Sequence, residues 1–170
     1  CPNWLPIEFK LGSGDYHSPL QLELISYTHR LDIKHAVMER ELICRDECGR
    51  MTKLLSRRFA SMAEPHLAAI RFQLTPLNYS AEITIRSALD GTVINAGVDR
   101  YKALNSQHLR PLRTVHDDHG IALVVETTTS EITIAEAARH RLFSEGKPIV
   151  AERSVEEASG WIAESLQFAA

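Results

Sequence analysis

Residues Gly49 to Tyr101 read GRMTKLLSRRFASMAEPHLAAIRFQLTPLNYSAEITIRSALDGTVINAGVDRY. Within them Ala68, Ile70, Phe72 and Leu74 alternate with Ala69, Arg71, Gln73 and Thr75. Successive side chains of a strand point to opposite faces, so one face here is apolar and the other mostly polar. Pro76 and Asn78 in TPLNYS break the pattern. Ile83 and Ile85 resume it, and Leu89-Asp90-Gly91 closes it with a turn signal. The stretch predicts an antiparallel sheet with one buried face, and it carries no evident catalytic group.

Outward from it, the reading stays that of short strands without internal repeats. A strand at Leu20 to Tyr27 places Leu20, Leu22 and Leu24 on one face. A second, Ala36 to Arg45, turns through Asp46-Glu47-Cys48-Gly49 into a third, Met51 to Met62. The alternation slips at Arg57-Arg58, which predicts a bulge. Strands follow at His66 to Thr75 and Glu82 to Ala88, and Asn95 to Leu109 reads as irregular. They resume at Ile121 to Thr128, Glu131 to Phe143, Pro148 to Arg153 and Trp161 to Phe168. Two segments are ambiguous. Propensity favours a helix at Ile134 to Leu142, but a strand is expected because its neighbours would otherwise lack a partner. Ser154 and Glu157 have capping-box spacing and predict one helical turn before the last strand.

Several strings, in order, resemble the N-terminal β-sandwich domain of glycoside hydrolase family 65, the family of maltose, trehalose and kojibiose phosphorylases and related hydrolases. They are PNWLPIEF (Pro2 to Phe9), LDIKHAV (Leu31 to Val37), GRMTKLLSRRFASM (Gly49 to Met62), HLAAIR (His66 to Arg71), RSALDGTVINAGVDRY (Arg86 to Tyr101) and SGWIAESLQ (Ser159 to Gln167). One departure is His35, where the family often has Gly. The resemblance implies an all-β, antiparallel β-sandwich of the super-sandwich, galactose-mutarotase-like type, incomplete at both ends. It implies that residues 1–170 form a single, partial N-terminal domain and that the catalytic helical barrel lies outside them. The general-acid Glu and the phosphate-binding residues would lie in that barrel, so no catalytic residue is expected here. The whole enzyme would cleave an α-linked disaccharide, with inorganic phosphate as co-substrate in a phosphorylase and water in a hydrolase. No cofactor is implied. The expected partners are the enzyme's own catalytic domain, the disaccharide and a second subunit in a homo-oligomer.

Bulk properties bound the alternatives. With 170 residues, 44% hydrophobic and 24% charged, the chain suits one domain with a core. A formal net charge of −3 with interspersed signs gives no electrostatic case for nucleic acid or an anionic membrane. No apolar run approaches the roughly 20 residues that span a bilayer. Cys1, Cys44 and Cys48 make an odd count, and Cys44 and Cys48 enclose too short a loop for a comfortable bridge. Reduced thiols and a cytoplasmic location are expected, one thiol in the core and one in a turn.

The remaining candidates have bland readings beside the functional ones. Glycosidic cleavage needs a carboxylic acid, and hydrolysis with inversion a second carboxylate as base. Glu82, Asp90 and Glu126 are read as exposed strand or turn acids instead. His116-Asp117-Asp118-His119 is the best metal lookalike, but alternation points its members apart, and a solvated turn is expected. Arg57 and Arg58 could hold phosphate; in a strand, one is expected to pair with a cross-strand acid and the other to snorkel. Of the aromatic residues Trp4, Tyr16, Tyr27, Tyr79, Tyr101 and Trp161, the two tryptophans are the candidate sugar contacts. The Asn78-Tyr79-Ser80 sequon has a role only in a secreted protein. Rival functions are an independent carbohydrate-binding module, a purely structural assembly domain and a freestanding enzyme.

Overall fold

The computed structural model describes residues 1–94 and 106–169. The strands are β1 (Ile7–Leu11), β2 (Glu23–Asp32), β3 (Val37–Arg45), β4 (Met51–Ala60), β5 (Ala68–Pro76), β6 (Glu82–Asp90), β7 (Leu109–Asp117), β8 (Gly120–Thr127), β9 (Thr133–Ala138), β10 (Phe143–Ser144), β11 (Lys147–Pro148), β12 (Glu152–Ala158) and β13 (Trp161–Ala169). One 3-10 turn, Pro19–Gln21, is the only helical element among the described residues. The all-β expectation holds. The irregular stretch expected from Asn95, and Tyr101 within it, falls at 95–105, outside the described residues. No helix among the described residues is long and apolar enough to cross a membrane.

The chain divides into two compact units. The unit at Ser13–Glu82 is a four-stranded sheet in the order β2-β3-β4-β5, antiparallel throughout. The alternation read at Ala68 to Thr75 is β5 itself: Ile70, Phe72 and Leu74 are half-buried, while Arg71, Gln73 and Thr75 are exposed. They share a face with Leu42, Cys44, Leu54 and Thr52, all nearly inaccessible to solvent. The β3–β4 turn is fixed by Asp46, whose Oδ1 accepts hydrogen bonds from the Cys48 and Arg50 amides at 3.0 and 2.9 Å. At the β2–β3 turn Asp32 accepts bonds from the His35 amide and ring, and Ala36 takes the left-handed conformation with φ of 54°. Asp32 is thereby held below its ordinary value, chiefly by the His35 side chain.

The second unit comprises Cys1–Gly12 and Ile83–Phe168. Its four-stranded sheet runs β1-β6-β13-β12 and its three-stranded sheet β7-β8-β9, beside the small β10-β11 pair. Leu89 of β6, Leu109 of β7, Ile121, Leu123 and Val125 of β8, and Ile162 of β13 form one buried cluster, so the two sheets close on a shared core. Each such side chain contributes about 2 kcal/mol by leaving water. This is the sandwich arrangement. Two hairpins have two-residue turns, Asp118-His119 and Ser159-Gly160. Gly160 has φ of 75°, and a Cβ there would stand 2.7 Å from Pro111 Cγ. A Cβ on Gly120 would meet the Ala138 carbonyl oxygen at 2.1 Å, so β8 and β9 close there only with glycine.

Several local expectations are corrected. No bulge occurs at Arg57-Arg58, where register with β3 and β5 is continuous; shifts lie at Leu24/Ser26 and Pro111/Arg113. Arg58 occupies the apolar face and donates to Met38 Sδ at 2.9 Å, so a polar residue in an unbroken alternation mimicked a slip. The strand expected at Leu20 begins at Glu23, because Pro19 starts the 3-10 turn and Gln21 Oε1 accepts the Ser18 amide at 2.8 Å. The strand expected over Glu131 to Phe143 ends at Ala138, and Pro148–Arg153 is split between β11 and β12. Ser154 and Glu157 lie in β12, opposite Ser165 and Ile162, so no helical turn forms. β7 went unread as a strand.

Candidate functional site

The two candidate sugar contacts lie in the second unit, half-buried, each with a structural occupation. Trp4 packs against the core cluster beside the bridge in which Asn3 and Asp90 exchange backbone bonds of 2.7 and 2.9 Å. Trp161 starts β13 and carries the Arg86 guanidinium 5.8 Å from its ring centre. Arg86 is aimed by its cross-strand partner Glu8, whose Oε2 accepts from Nε at 3.0 Å and from a terminal nitrogen at 2.6 Å. Of the tyrosines described, Tyr79 shares a 2.8 Å hydrogen bond with Thr52 Oγ1, and Tyr27 is exposed, edge-on to His29. Asn78 of the sequon is engaged: its Oδ1 accepts the Met51 amide at 2.7 Å and its Nδ2 donates to the Gly49 carbonyl at 3.0 Å.

The polar cluster at residues 116–119 is the β7–β8 hairpin turn. Asp117 Oδ1 accepts the His119 and Gly120 amides at 2.7 and 3.1 Å, and the His119 amide is the main cause of its lowered pKa. His116 instead faces Glu157 at 3.1 Å, and His119 faces Arg139 at 3.3 Å. The four side chains diverge, as alternation required, and among the described residues no group of three or more His, Cys, Asp or Glu gathers. Cys44 is buried, with Sγ 3.6 Å from the Thr52 carbonyl, and burial raises its pKa; Cys48 is exposed in its turn.

Of the acids singled out in the sequence, Glu82 is exposed, Asp90 Oδ1 accepts from both Thr92 groups, and Glu126 pairs with its cross-strand neighbour Arg110. Arg57 and Arg58 sit on opposite faces of β4. Arg57 pairs with Glu39 across the sheet, as expected. Glu39 is held ionised by Arg57 and then by Arg30.

The sequence reading missed two carboxyls. Glu164 of β13 is 5% exposed, with Arg153 Nε at 3.1 Å and His140 Nδ1 at 3.3 Å. Burial opposes its ionisation, but His140 and Arg153 outweigh it and hold the carboxyl at about 2. A general acid must carry a proton near neutral pH, so Glu164 is a structural counter-ion. Glu136 of β9 is the opposite case: its Oε2 is buried with no hydrogen-bond partner, and burial raises its pKa. Its cross-strand neighbour is Leu123, a core residue, so it does not form the facing carboxylate pair of glycosidic chemistry there. Alternation did carry a signal: Glu164 is in phase with Ile162, Leu166 and Phe168, and Glu136 with Ile134 and Ala138, so each is an acid on the apolar half of its strand.

An open cleft of about 480 Å³ lies in the second unit beside Val93, His108, Thr127, Thr128 and Ser130. Two of its hydroxyls are engaged in the β8–β9 turn: Thr127 Oγ1 lies 2.6 Å from Ser130 Oγ and accepts the Ile132 amide at 2.9 Å. The cleft's described walls bring no Asp or Glu to it.

Comparison with known proteins accords with this geometry. The model of the glycosyl hydrolase family 65 N-terminal domain matches residues 1–170. An uncharacterized glycosyl hydrolase of Mycobacterium tuberculosis (strain H37Rv) is 37% identical over 154 residues, 91% of this chain and 12% of that protein. A kojibiose phosphorylase of Caldanaerobacter subterraneus subsp. tengcongensis is 31% identical over 144 residues, 84% of this chain and 18% of that protein. A solved structure described as a kojibiose phosphorylase from the human microbiome superposes with a TM-score of 0.79 at 13% identity, covering 99% of this chain and 20% of that one. That likeness speaks for the fold. The chain thus spans under a fifth of the length of these curated relatives. It belongs to glycosyl hydrolase family 65, as a member of that family's N-terminal domain.

Proposed function

We propose that this chain is the non-catalytic N-terminal support of a family 65 enzyme that cleaves α-linked disaccharides, by phosphorolysis or hydrolysis. It would hold the catalytic portion, shape the rim of the active site and contribute to subunit contacts. The enzyme would work in the cytoplasm, and inorganic phosphate would be its co-substrate if it is a phosphorylase. One observation carries the reading: four strand acids are committed to guanidinium partners, Glu8 to Arg86, Glu39 to Arg57, Glu126 to Arg110 and Glu164 to Arg153, while the unpartnered Glu136 stands opposite Leu123 and not a second carboxyl. For Glu39 and Glu164 that pairing lowers the pKa of the carboxyl, the wrong direction for protonating a leaving oxygen.

The test is direct. The folded chain, given kojibiose, trehalose or maltose with inorganic phosphate, is expected to release no sugar phosphate, and with water alone no monosaccharide. Turnover by the chain itself would overturn the assignment. A second reading, an independent carbohydrate-binding module, draws on the partly exposed rings of Trp4 and Trp161. It requires saturable heat of binding to those sugars, lost in Trp4→Ala or Trp161→Ala.

A further inference from the structure

Cross-strand register aligns four charged residues in one row of the Ser13–Glu82 unit. Arg30 lies opposite Glu39, Glu39 opposite Arg57, and Arg57 opposite Arg71, one residue from each of β2, β3, β4 and β5. Directly opposed residues share a face, so the row reads plus, minus, plus, plus on one surface. Glu39 is already taken twice, accepting from Arg30 and from Arg57 Nε. Arg71 is exposed, and among the described residues it makes no hydrogen bond or ion pair. The Arg57 and Arg71 Cβ atoms are therefore about 5 Å apart with one shared acid already occupied, an arrangement that repels.

The neighbours on that face do not relieve it. Two residues along, the next row is Thr28, Glu41, Leu55 and Gln73, and Glu41 is held by Lys53 at 3.2 Å. On the other side lie Phe59 and Ala69, both uncharged. Asp32 is engaged with His35 at the far edge. Arg57, whose side chain is still 48% exposed although its Nε serves Glu39, thus lies with the exposed Arg71 and Gln73 beside an apolar shoulder at Phe59, which is 42% exposed.

We propose that Arg57 and Arg71 form a two-guanidinium clamp for an oxyanion, a carboxylate or a phosphate group, with Gln73 as a further donor. A guanidinium fork matches such oxygens two at a time, and an anion between the forks would replace repulsion with charge-assisted bonds. The second guanidinium beside Arg57 is Arg71 of the neighbouring strand, since Arg58 points to the opposite face of β4.

The experiment follows the arginine Nε–H resonances of the 170-residue chain during titration at constant ionic strength. Inorganic phosphate is the probe in one arm and triglutamate in the other. The signals of Arg57 and Arg71 are expected to shift saturably in at least one arm, which identifies whether the source is a free phosphate or a carboxylate-bearing surface. Arg71→Gln should weaken that binding by on the order of tenfold or more, and Arg71→Lys by less. In anion-free buffer R71Q should be no less stable than the parent, since only a repulsive neighbour is removed. No saturable response in either arm, an equal response in R71Q, or a loss of stability on that substitution would each overturn the proposal.

Discussion

Glu164→Gln isolates what a buried ion cluster does for this sandwich. The carboxyl has Arg153 at 3.1 Å and His140 at 3.3 Å, and the pair moves it from its ordinary 4.5 to about 2. A tenfold change in proton affinity is worth about 1.4 kcal/mol, so the depressed value carries roughly 3 kcal/mol of pH-dependent stability. Arg153 and His140 keep 27% and 20% of their side-chain exposure, so water partly compensates the charges left behind and the loss at neutral pH stays at about 3 kcal/mol. In a chain of this size that is roughly 6–12 °C of melting temperature. The sign with pH is fixed. A depressed carboxyl contributes its full stabilisation above 4.5, and the contribution falls away as pH drops through about 2. Urea unfolding of parent and variant across that window should show curves that converge on acidification. A variant within about 0.5 kcal/mol of the parent at neutral pH, the size of an ordinary surface substitution, would refute the reasoning. So would a gap that stays constant down to pH 2.

Three further outcomes follow from the same unit. Leu123→Ala removes a fully buried side chain from the shared core and should cost about 2–5 kcal/mol by denaturant unfolding. Gly120→Ala drives a Cβ against the Ala138 carbonyl, and a loss of about 1–3 kcal/mol with weakened amide protection in β9 is expected by hydrogen exchange. Glu136→Gln should stabilise the chain at neutral pH, since it removes the charge from a buried site without a partner even though its amide inherits that site. Its raised pKa means the parent suffers that penalty when the group is ionised, so the advantage should vanish as pH falls below the ordinary carboxylate range.

Much of the fold was legible because strands with one buried face announce themselves. β5 and β6 carry apolar residues at alternate positions, Ile70, Phe72 and Leu74 in one and Ile83, Ile85 and Leu89 in the other, with Pro76, Asn78 and Gly91 marking the turns beside them. Residues that break the code for a tertiary reason were misread. Arg58 sits on the apolar face with its guanidinium donating a hydrogen bond to the Met38 sulfur, so a continuous strand looked bulged. β7 contains Pro111 and a true register shift beside it, so its alternation is interrupted. Ser154 and Glu157 have capping spacing by coincidence; the Glu157 carboxylate accepts from Thr114 Oγ1 at 2.7 Å across the sandwich. The candidate site was legible only in its negative part. The turn at residues 116–119 and the inward phase of Glu164 and Glu136 follow from alternation alone, whereas the partners of those acids and the Arg57–Arg71 pair depend on which strands become neighbours.

The account rests on chemistry housed elsewhere than in these strands. Incubation of the folded 170-residue chain with kojibiose and inorganic phosphate, read as glucose phosphate released, tests it most directly. No release above a protein-free control is the predicted result. Release that scales with chain concentration and persists after purification to homogeneity would contradict it.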